Sequence, residues 1–531
     1  MKVVTSGQMR MIERIAIEEM GIPSILLMEN AAINITKHCL RIIDGKQNAK
    51  VLIVCGSGSN GGDGMAIARH LHVKGTEVKV LFAGDMNAVM NDSEINLQII
   101  KKMGIPIESI QYADNHQNIQ AVIETSDLVV DAMLGTGLDR NIGGNYKILT
   151  EMINRYAKYI LSVDMPSGVH SDTGRVMGNA VKASETVTLG YPKTGILTYP
   201  GAEYAGKVHV EDIGIPDALI DKVKTEANTL TADEAGNLLP ERRQRSNKGN
   251  YGKILVFAGS NDMPGAAALT CSASYMTGCG LVCACVLPDV AGVIHHWQRE
   301  VITRNVPEIN GMYCKKSINA LTEEIKNASV LVIGPGIGRS PDVTEFVHEL
   351  ISIAEVPIVL DADALFAVSQ NMNILNMRKA PCVITPHPGE MSRLLANSLN
   401  ANGQTGFSVA DILDDITGTA IKFSTDFNVV TLLKDAHTII ANPDGVYYFN
   451  TTGNNALSKA GTGDVLTGMI AGFIAQGSDI FTASVLGAYF HGKSGEAAAM
   501  NMSHYSVTAS DIIKNIPVAI NECCKHIQSF C

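Results

Sequence analysis

The chain has 531 residues, a formal net charge of −11 and a pI of about 5.7, so an acidic protein with more than one domain is expected. Hydrophobic residues make up 46% of the chain and charged residues 18%, which is enough apolar material for large buried cores. The absence of a Lys/Arg-rich block argues against binding to nucleic acid or to an anionic membrane by charge. No run of about 18 or more apolar residues predicts a membrane span.

The first residues, MKVVTSGQMRMIERIAIEEMG, have the spacing of an amphipathic helix with interleaved acids, unlike a signal peptide. Eleven cysteines follow along the chain, and the one cluster is Cys279, Cys283 and Cys285. This cluster lacks the second cysteine pair or the histidines that zinc sites use. We therefore expect buried, reduced thiols and a cytoplasmic protein.

Short β-branched runs alternate with helix-patterned stretches, which predicts an α/β fold with largely parallel sheets. The alternation stops in a polar stretch around residues 221–250, and we place a domain boundary near residue 225. The predicted domains, residues 1–225 and 226–531, do not resemble repeats of each other. The predicted strands are Lys50–Cys55, Glu77–Phe82, Asp127–Ala132, Tyr159–Asp164, Glu185–Leu189, Ile254–Ala258, Ala284–Leu287, Val330–Ile333, Ile358–Leu360, Val383–Thr385, Val429–Leu432 and Thr438–Ala441.

The first predicted strand, AKVLIVC, runs into the glycine-rich loop GSGSNGGDG at residues 56–64 and then into a helix. Gly56, Gly58 and Gly61 fit the pattern GxGxxG at a strand-to-helix turn, where a helix N-terminus can hold a phosphate. A dinucleotide-binding unit of the Rossmann dehydrogenases has an acid at the end of the next strand, but EVKVLFAGD offers only Asp85, beyond a glycine. An ordinary Rossmann dehydrogenase is therefore disfavoured.

Two further loops carry an acid at the carboxyl end of a predicted strand. Asp131 lies in LVVDAMLGTGLDRN, and Asp164 lies in ILSVDMPSGVHSDTG. A single acid after a strand is more often a loop or helix cap. Three polar, glycine-rich loops at the same edge of a parallel sheet instead predict a ligand site there.

The motifs TSGQMRMIERIAIEEMGIPSILLMENAA, SNGGDG, DAMLGTG, DMPSG and GYPKTGIL together resemble the NAD(P)H-hydrate epimerase family over nearly the whole first half. The resemblance implies a three-layer domain with a Rossmann-like sheet and a potassium ion held by Asn60, Asp131 and Ser167. It also implies that Asp164 is the acid/base at C6 of the hydrated nicotinamide ring. Ser59 stands where the family commonly has Asn. The implied contacts to the hydrated dinucleotide are Ser59, Asn60, Gly61, Gly62, Asp63, Gly135, Thr136, Gly137, Leu138, Asp139, Arg140, Asn141 and Asp164.

In the second half, the run Gly461-Thr462-Gly463-Asp464 opens an apolar, helix-patterned segment, Val465–Phe473. Backbone N–H groups at such a helix start can hold the charge that develops on a transferring phosphoryl group. The carboxylate of Asp464 can take the proton from an attacking hydroxyl. This combination is typical of small-molecule kinases of the ribokinase-like superfamily, although a glycine-rich loop with an N-capping Asp would have the same sequence.

The motifs YGKILVFAGSNDMPGAAALT, VLVIGPGIGRS, VLDADAL, VITPHPGEMSRL, TLLKDAHTIIA and NNALSKAGTGD each predict a strand that runs into a polar loop. In DADAL, Asp361 and Asp363 could be metal-assisting acids or strand-end caps. Together the motifs resemble the ADP-dependent NAD(P)H-hydrate dehydratase family, with a three-layer ribokinase-like domain, from about residue 229 onward.

This second resemblance implies roles for particular residues. Asp464 would be the catalytic base, and Gly461, Thr462 and Gly463 would form the anion hole. Asp435 stands where the family often has Gly, and Ser458 where it usually has Ala. The implied hydrate contacts are Ala266, Gly338, His387 and Asp464, and the implied nucleotide contacts are Lys434, Asp435, Ala436, His437, Thr438 and Gly463.

Taken together, the two resemblances imply a bifunctional enzyme that repairs hydrated NADH and NADPH. It would interconvert the R and S epimers of NADHX and NADPHX and then dehydrate the S epimer with ADP, releasing AMP and phosphate. Potassium, magnesium and assembly into a homo-oligomer of four or more copies are implied as well. Two alternatives stay open: a vitamin-precursor or sugar kinase with an N-terminal regulatory domain, and a non-enzymatic binding scaffold. A scaffold has no chemical need for Asn60, Asp131, Asp164 and Ser167 together.

Overall fold

The computed structural model of the protein describes residues 1–110, 116–399 and 403–528. The chain divides into two compact units, an N-terminal unit of Lys2–Ala227 and a C-terminal unit of Asn228–Cys531 with Met1. Among the described residues, no helix combines the length and the apolar character needed to cross a membrane.

The N-terminal unit is a seven-stranded sheet with the strand order β3-β2-β1-β4-β5-β6-β7, and all its paired strands run parallel. Its strands are β1 Lys50–Cys55, β2 Glu77–Phe82, β3 Ile107–Ser109, β4 Leu128–Ala132, β5 Ile160–Val163, β6 Glu185–Leu189 and β7 Lys207–Glu211. Its helices are α1 Ser6–Glu18, α2 Ser24–Ile42, α3 Ser59–Val73, α4 Asn91–Lys102, α5 His116–Thr125, α6 Gly144–Tyr156, α7 Thr194–Leu197 and α8 Gly201–Ala205.

Helices cover both faces of this sheet because the central strands are apolar on both sides. In β1, Val51 and Ile53 face one core with α2, α3 and α4, whereas Leu52 and Val54 face a second core with α5 and α6. This alternation is what a pleated strand requires, and burial on both faces explains the continuous apolar runs in the sequence. The predicted three-layer α/β architecture with a Rossmann-like sheet is confirmed for this unit.

The C-terminal unit contains a ten-stranded sheet in the order β11-β10-β9-β14-β15-β16-β17-β18-β19-β8, with a separate two-stranded hairpin of β12 and β13. Strands β9 to β11 and β14 to β17 pair in parallel, and β18 is antiparallel to both of its neighbours β17 and β19. Its strands are β8 Ala227–Thr229, β9 Lys253–Phe257, β10 Leu281–Val286, β11 Ile302–Asn305, β12 Glu308–Ile309, β13 Met312–Tyr313, β14 Val330–Ile333, β15 Ile358–Leu360, β16 Cys382–Ile384, β17 Val430–Leu433, β18 Thr438–Ala441 and β19 Tyr447–Asn450.

The helices of the C-terminal unit include the long, buried pair α20 and α21. Every residue of α20 from Val465 onward is buried, which explains why the apolar pattern there shows no polar face. The helices are α9 Ala232–Leu238, α10 Pro264–Met276, α11 Pro288–Trp297, α12 Lys315–Asn319, α13 Thr322–Lys326, α14 Pro341–Ile353, α15 Asp363–Gln370, α16 Ile374–Met377, α17 Pro388–Leu394, α18 Val409–Asp414, α19 Ile416–Phe427, α20 Thr462–Ala475, α21 Ile480–Asn501 and α22 Ala509–Gln528.

The strands that the sequence predicts are present, with ends that shift by at most a few residues. The strands that it misses are short or lie at sheet edges. For example, β7 and β11 end their sheets, and most of their residues are half-buried or exposed. Strands with solvent on one side lack the continuous apolar run that identifies a central parallel strand.

Candidate active sites

A cavity of about 800 Å³ lies at the carboxyl edge of the N-terminal sheet. The strand order reverses between β1 and β4, and ligand crevices in open α/β sheets form at such a point. Of the predicted hydrate contacts, Gly61, Gly62 and Asp139 do not line the cavity. Those that do line it are Ser59, Asn60, Asp63, Gly135, Thr136, Gly137, Leu138, Arg140, Asn141 and Asp164.

The glycines of the first loop are needed because backbone segments approach closely there. A Cβ atom on Gly56 would lie 2.0 Å from the carbonyl oxygen of Met133, in the loop after β4. A Cβ atom on Gly61 would lie 1.9 Å from the carbonyl oxygen of Gly56. These contacts hold the start of α3 against the ends of β1 and β4, so its first N–H groups face the cavity.

Asp164 directly follows β5 and has a left-handed backbone conformation, with φ of 62°. Its Oδ1 atom accepts hydrogen bonds from Lys193 Nζ at 2.5 Å, from Thr188 Oγ1 at 3.2 Å and from the Leu189 N–H at 3.3 Å. A left-handed conformation costs roughly 1–2 kcal/mol for a residue with a side chain, and such strain concentrates at functional sites. The loop thus holds one carboxylate oxygen in place at the edge of the cavity.

Two more acids line the same cavity, Glu13 on α1 and Asp63 on α3. Burial raises the pKa of both carboxyl groups. The negative charge of Asp164 raises the pKa of both further, and the positive charge of Lys193 partly opposes this. The cavity therefore combines a carboxylate bonded to a lysine with two acids whose pKa is raised by burial, an arrangement suited to proton transfer. No local sequence signal marks Glu13 or Lys193 as site residues, although Lys193 lies in the motif GYPKTGIL.

Asp131 and Ser167 form a buried cluster at the ends of β4 and β5. Ser167 donates to Asp131 Oδ1 through its hydroxyl at 2.6 Å and to Oδ2 through its N–H at 2.8 Å, and Ser162 Oγ donates to Oδ2 at 2.9 Å. Burial raises the pKa of Asp131, and the hydrogen bonds from Ser167 and Ser162 partly oppose this. Asn60, which lies beside Gly135, has a buried Nδ2 atom without a hydrogen-bond partner.

In the C-terminal unit, the predicted anion hole lies at the start of α20. Gly461 has φ of 88°, which favours glycine, and the helix begins at the next residue. The Thr462 hydroxyl donates to the carbonyl oxygens of Leu457 and Lys459, both at 3.0 Å, and fixes the loop before the helix. The first N–H groups of a helix have no partner within it, so this turn can bind an anion.

A lysine and two acids lie beside this turn. Lys434 Nζ donates to Asp361 Oδ1 at 3.1 Å, and Thr467 Oγ1, one turn into α20, donates to Asp361 Oδ2 at 2.8 Å. A Cβ atom on Gly463 would lie 3.5 Å from Lys434 Nζ. Burial, and then the negative charge of Asp361, raise the pKa of Asp464 to about 7, against the positive charge of Lys434. Asp464 can therefore exchange a proton near neutral pH.

His491 on α21 is a further buried group beside the turn. Burial lowers its pKa to about 4, the hydrogen bond with the Thr462 backbone opposes this, and the charge of Lys434 lowers it further. Its Nε2 atom is buried and has no hydrogen-bond partner. No local sequence signal marks this residue, because it lies in the middle of a long helix whose residues are mostly buried.

The acids of DADAL have different surroundings. Asp361 is bonded to Lys434 at the anion-hole turn, whereas Asp363 accepts from Arg339 Nε at 2.7 Å and from the Gly338 N–H at 3.1 Å. Asp363 thus ties down the loop that carries the predicted hydrate contact Gly338. Ala266, a second predicted contact, packs against the same loop, since a Cβ atom on Gly336 would lie 2.9 Å from Ala266 Cβ.

His387 caps helix α17. Its Nδ1 atom accepts from the N–H groups of Gly389 at 3.0 Å and Glu390 at 3.3 Å, and its ring is otherwise largely exposed. The loop of His387 is joined to the predicted nucleotide-binding loop, because the Lys434 N–H donates to the carbonyl oxygen of Pro386 at 2.8 Å. In the turn between β17 and β18, the residues after Lys434 are half-buried or exposed: Asp435, Ala436, His437 and Thr438.

Comparison with known proteins matches both halves of the chain. A family model described as NAD(P)H-hydrate dehydratase matches residues 254–518, and one described as YjeF-related protein N-terminus matches residues 24–195. The chain is 38% identical over its full length to the bifunctional NAD(P)H-hydrate repair enzyme of Moorella thermoacetica, of which it covers 98%. It is 35% identical, over 98% of its length, to the enzyme of the same name from Thermofilum pendens, of which it covers 96%. A similar solved structure is the crystal structure of ADP/ATP-dependent NAD(P)H-hydrate dehydratase from Bacillus subtilis, co-crystallised with ATP and Mg²⁺. Its sequence is 28% identical to that of this chain, and the TM-score is 0.47. The match covers 56% of this chain and 98% of the Bacillus subtilis chain.

Proposed function

The chain belongs to the family of bifunctional NAD(P)H-hydrate repair enzymes, and we propose that each of its two sites carries one of the two repair reactions. The N-terminal cavity epimerises hydrated NADH and NADPH at C6. The turn at the start of α20 dehydrates the S epimer with ADP. The observation that carries the proposal is a half-buried carboxylate beside a lysine at both sites: Asp164 is bonded to Lys193, and Asp464 lies within the electrostatic influence of Lys434.

In the N-terminal cavity, Asp164 is the acid/base of the epimerisation at C6. Lys193 holds Asp164 Oδ1, so the second carboxylate oxygen of Asp164 is the one that meets the substrate. Asp63 and Glu13, whose pKa burial raises, line the same cavity and can take part in the proton exchange. The start of α3 and the loop at 135–141 bind the rest of the dinucleotide, with N–H groups aimed at its phosphates.

In the C-terminal unit, Asp464 removes the proton from the C6 hydroxyl as that oxygen attacks the terminal phosphorus of ADP. The N–H groups of Gly461, Thr462 and Gly463 hold the charge that develops on the phosphoryl oxygens, and Lys434 adds a positive charge beside them. Phosphorylation makes the C6 oxygen a good leaving group. Breaking the C6–O bond with loss of a C5 proton then releases phosphate and restores the ring, leaving AMP.

Potassium fits the N-terminal cluster of Asn60, Asp131 and Ser167. Asp131 is a buried carboxylate with no cationic partner among the described ion pairs, and the side-chain oxygens of Asn60 and Ser167 would be the further ligands. Oxygen ligands of this kind suit a hard cation, which would neutralise the charge and fix the three loops at the cavity edge.

Magnesium would be held in a different way, in the C-terminal unit. Asp361 and Asp363 are already held by Lys434 and Arg339, so magnesium would be held chiefly by the ADP phosphates, whose charge it would neutralise.

A sugar or vitamin-precursor kinase would use the same anion-hole turn but has no use for the N-terminal cavity with its lysine-bound Asp164. A binding scaffold has no use for acids with raised pKa values around one lysine. The family resemblance also leads us to propose a homo-oligomer and a cytoplasmic location.

Two single substitutions separate the reactions. Asp164→Asn should leave dehydration of the S epimer intact and remove epimerisation, so a mixed substrate stalls after the S fraction is consumed. Asp464→Asn should abolish dehydration and leave the exchange between epimers, which chromatography of the two epimers follows. If Asp164→Asn epimerises at the normal rate, or if Asp464→Asn still dehydrates the S epimer, the assignment at that site is wrong.

A further inference from the structure

Outside both sites, two histidines and two glutamates meet where α2 packs on the edge of the N-terminal sheet. His38 comes from α2, Glu185 from β6, and His209 and Glu211 from β7. In the part of the chain that the structure describes, His38, Glu185 and His209 form the one group of three or more His, Cys, Asp or Glu side chains whose ligand atoms all lie within 4.8 Å of one another.

The four side chains are already paired in a way that suits a metal. His209 Nε2 lies 3.1 Å from Glu185 Oε2, and His38 Nε2 lies 2.8 Å from Glu211 Oε1. The two imidazole rings are 4.6 Å apart between centroids. Glu185 is buried and the other three side chains are partly buried, so the cluster is held in place and still open to ions from solvent.

We propose that His38, His209 and Glu185 bind a divalent transition-metal ion, and that Zn²⁺ fits the set best. Two imidazole nitrogens and a carboxylate oxygen are ordinary zinc ligands at about 2.0–2.2 Å, which places tetrahedral ligand atoms roughly 3.3 Å apart. The distance of 3.1 Å from His209 Nε2 to Glu185 Oε2 is close to this value. Tyr159 donates its hydroxyl to Glu185 Oε1 at 2.8 Å and so orients that carboxylate, as the outer partners of metal ligands do.

Arg41 provides the positive charge of the metal-free cluster. Its guanidinium is paired with Glu185, and its Nη2 atom lies 3.4 Å from His38 Nδ1. The Arg41 side chain is 51% exposed, so it can turn into solvent when a cation takes its place. In that state each ring offers the Nε2 lone pair and keeps its proton on Nδ1. The bound ion would then join α2 to β6 and β7 and stabilise the N-terminal unit.

The test is titration of the metal-stripped full-length protein with Zn²⁺ by calorimetry, with Co²⁺ absorption as a second readout of tetrahedral binding. His38→Ala, His209→Ala and Glu185→Gln should each weaken the site by at least about tenfold and remove the Co²⁺ bands. Arg41→Ala should bind Zn²⁺ more tightly, because it removes the competing cation. His70→Ala is the matched control. Like His209, His70 pairs with a glutamate that also pairs with an arginine, here Glu29 and Arg69. Among the described residues, His70 does not belong to a group of three possible ligands.

Failure of Zn²⁺ to bind the wild-type protein overturns the proposal. Zinc binding that is unchanged in both His38→Ala and His209→Ala also overturns it, because the ion then lies elsewhere. Weaker binding by Arg41→Ala would contradict the exchange of arginine for metal. Native epimerase activity in each variant shows that the N-terminal unit, which holds the cluster, is folded.

Discussion

Replacing Lys193 by methionine should damage the N-terminal site and leave the C-terminal site intact. The Lys193 side chain is 1% exposed, and its Nζ atom donates to Asp164 Oδ1 at 2.5 Å, to the Leu189 carbonyl at 2.8 Å and to Thr188 Oγ1 at 3.2 Å. Methionine keeps the apolar stem but removes all three donors. The Asp164 carboxylate, 13% exposed, is then left without its countercharge.

The size of the effect follows from this burial. Removing one partner of a buried ion pair costs about 3–5 kcal/mol. Asp164 keeps the Thr188 hydroxyl, the Leu189 N–H and some solvent, so we expect about 3 kcal/mol, or roughly a 150-fold loss in the folding equilibrium of the N-terminal unit. Lys182→Met is the matched control, because Lys182 pairs with Glu203 on the surface, where a pair contributes about 0–1 kcal/mol.

Hydrogen-exchange mass spectrometry in increasing denaturant measures the stability of each unit separately. In Lys193→Met, peptides from β5 and β6 should exchange at lower denaturant, while peptides from β9 and β14 should match the wild type. Epimerase activity should fall sharply with the dehydratase rate on pure S epimer unchanged. If Lys193→Met and Lys182→Met are equally stable and both epimerise normally, then Lys193 neither stabilises nor positions Asp164.

Further predictions concern three other features of the two sites. Because a base acts only when ionised, kcat/KM for dehydration should rise with pH until Asp464, with a pKa of about 7, is deprotonated, and should fall about tenfold per pH unit below it. A profile that is flat over about pH 6 to 8 would show that another group is the base. Asp131→Asn should remove any activation of the epimerase by KCl over NaCl, and unchanged activation would place the potassium ion elsewhere. Gly56→Ala should unfold or inactivate the N-terminal unit, because the added methyl group would lie 2.0 Å from the carbonyl oxygen of Met133. Gly58→Ala is the control and should be tolerated, because a Cβ atom there would have no heavy atom within 4 Å. Equal circular-dichroism melting curves for the two variants would contradict this reasoning.

The sequence predicts the central strands and the loops after them because these features are local. A strand buried on both faces is a continuous apolar run, and a ligand loop at its end combines glycine with a polar residue. These signals place Asp131, Asp164 and Asp464 at the edges of their sheets. The edge strands β3, β7 and β11 were missed, since one side of each faces solvent and no apolar run marks it.

The pairing of charges could not be predicted, because it depends on which distant segments the fold brings together. Lys193 is 29 residues from Asp164, and Lys434 is 73 residues from Asp361. The family resemblance marks Lys434 as a nucleotide contact, but nothing in the sequence predicts the ion pair of either lysine. The sequence does not predict the helix cap formed by His387, because histidine is an uncommon N-cap residue. The contact between His387 and the hydrate, which the family resemblance implies, stays a prediction.

The most direct test of the two-reaction proposal is recovery of NADPH absorbance from a mixture of NADPHX epimers, with ADP, magnesium and potassium present. Complete recovery, faster than the epimers interconvert without enzyme, is the result that two active sites in one chain predict. Recovery that stops when the S epimer is consumed would contradict the proposed epimerase activity. No recovery with either ADP or ATP would contradict the proposed dehydratase activity as well.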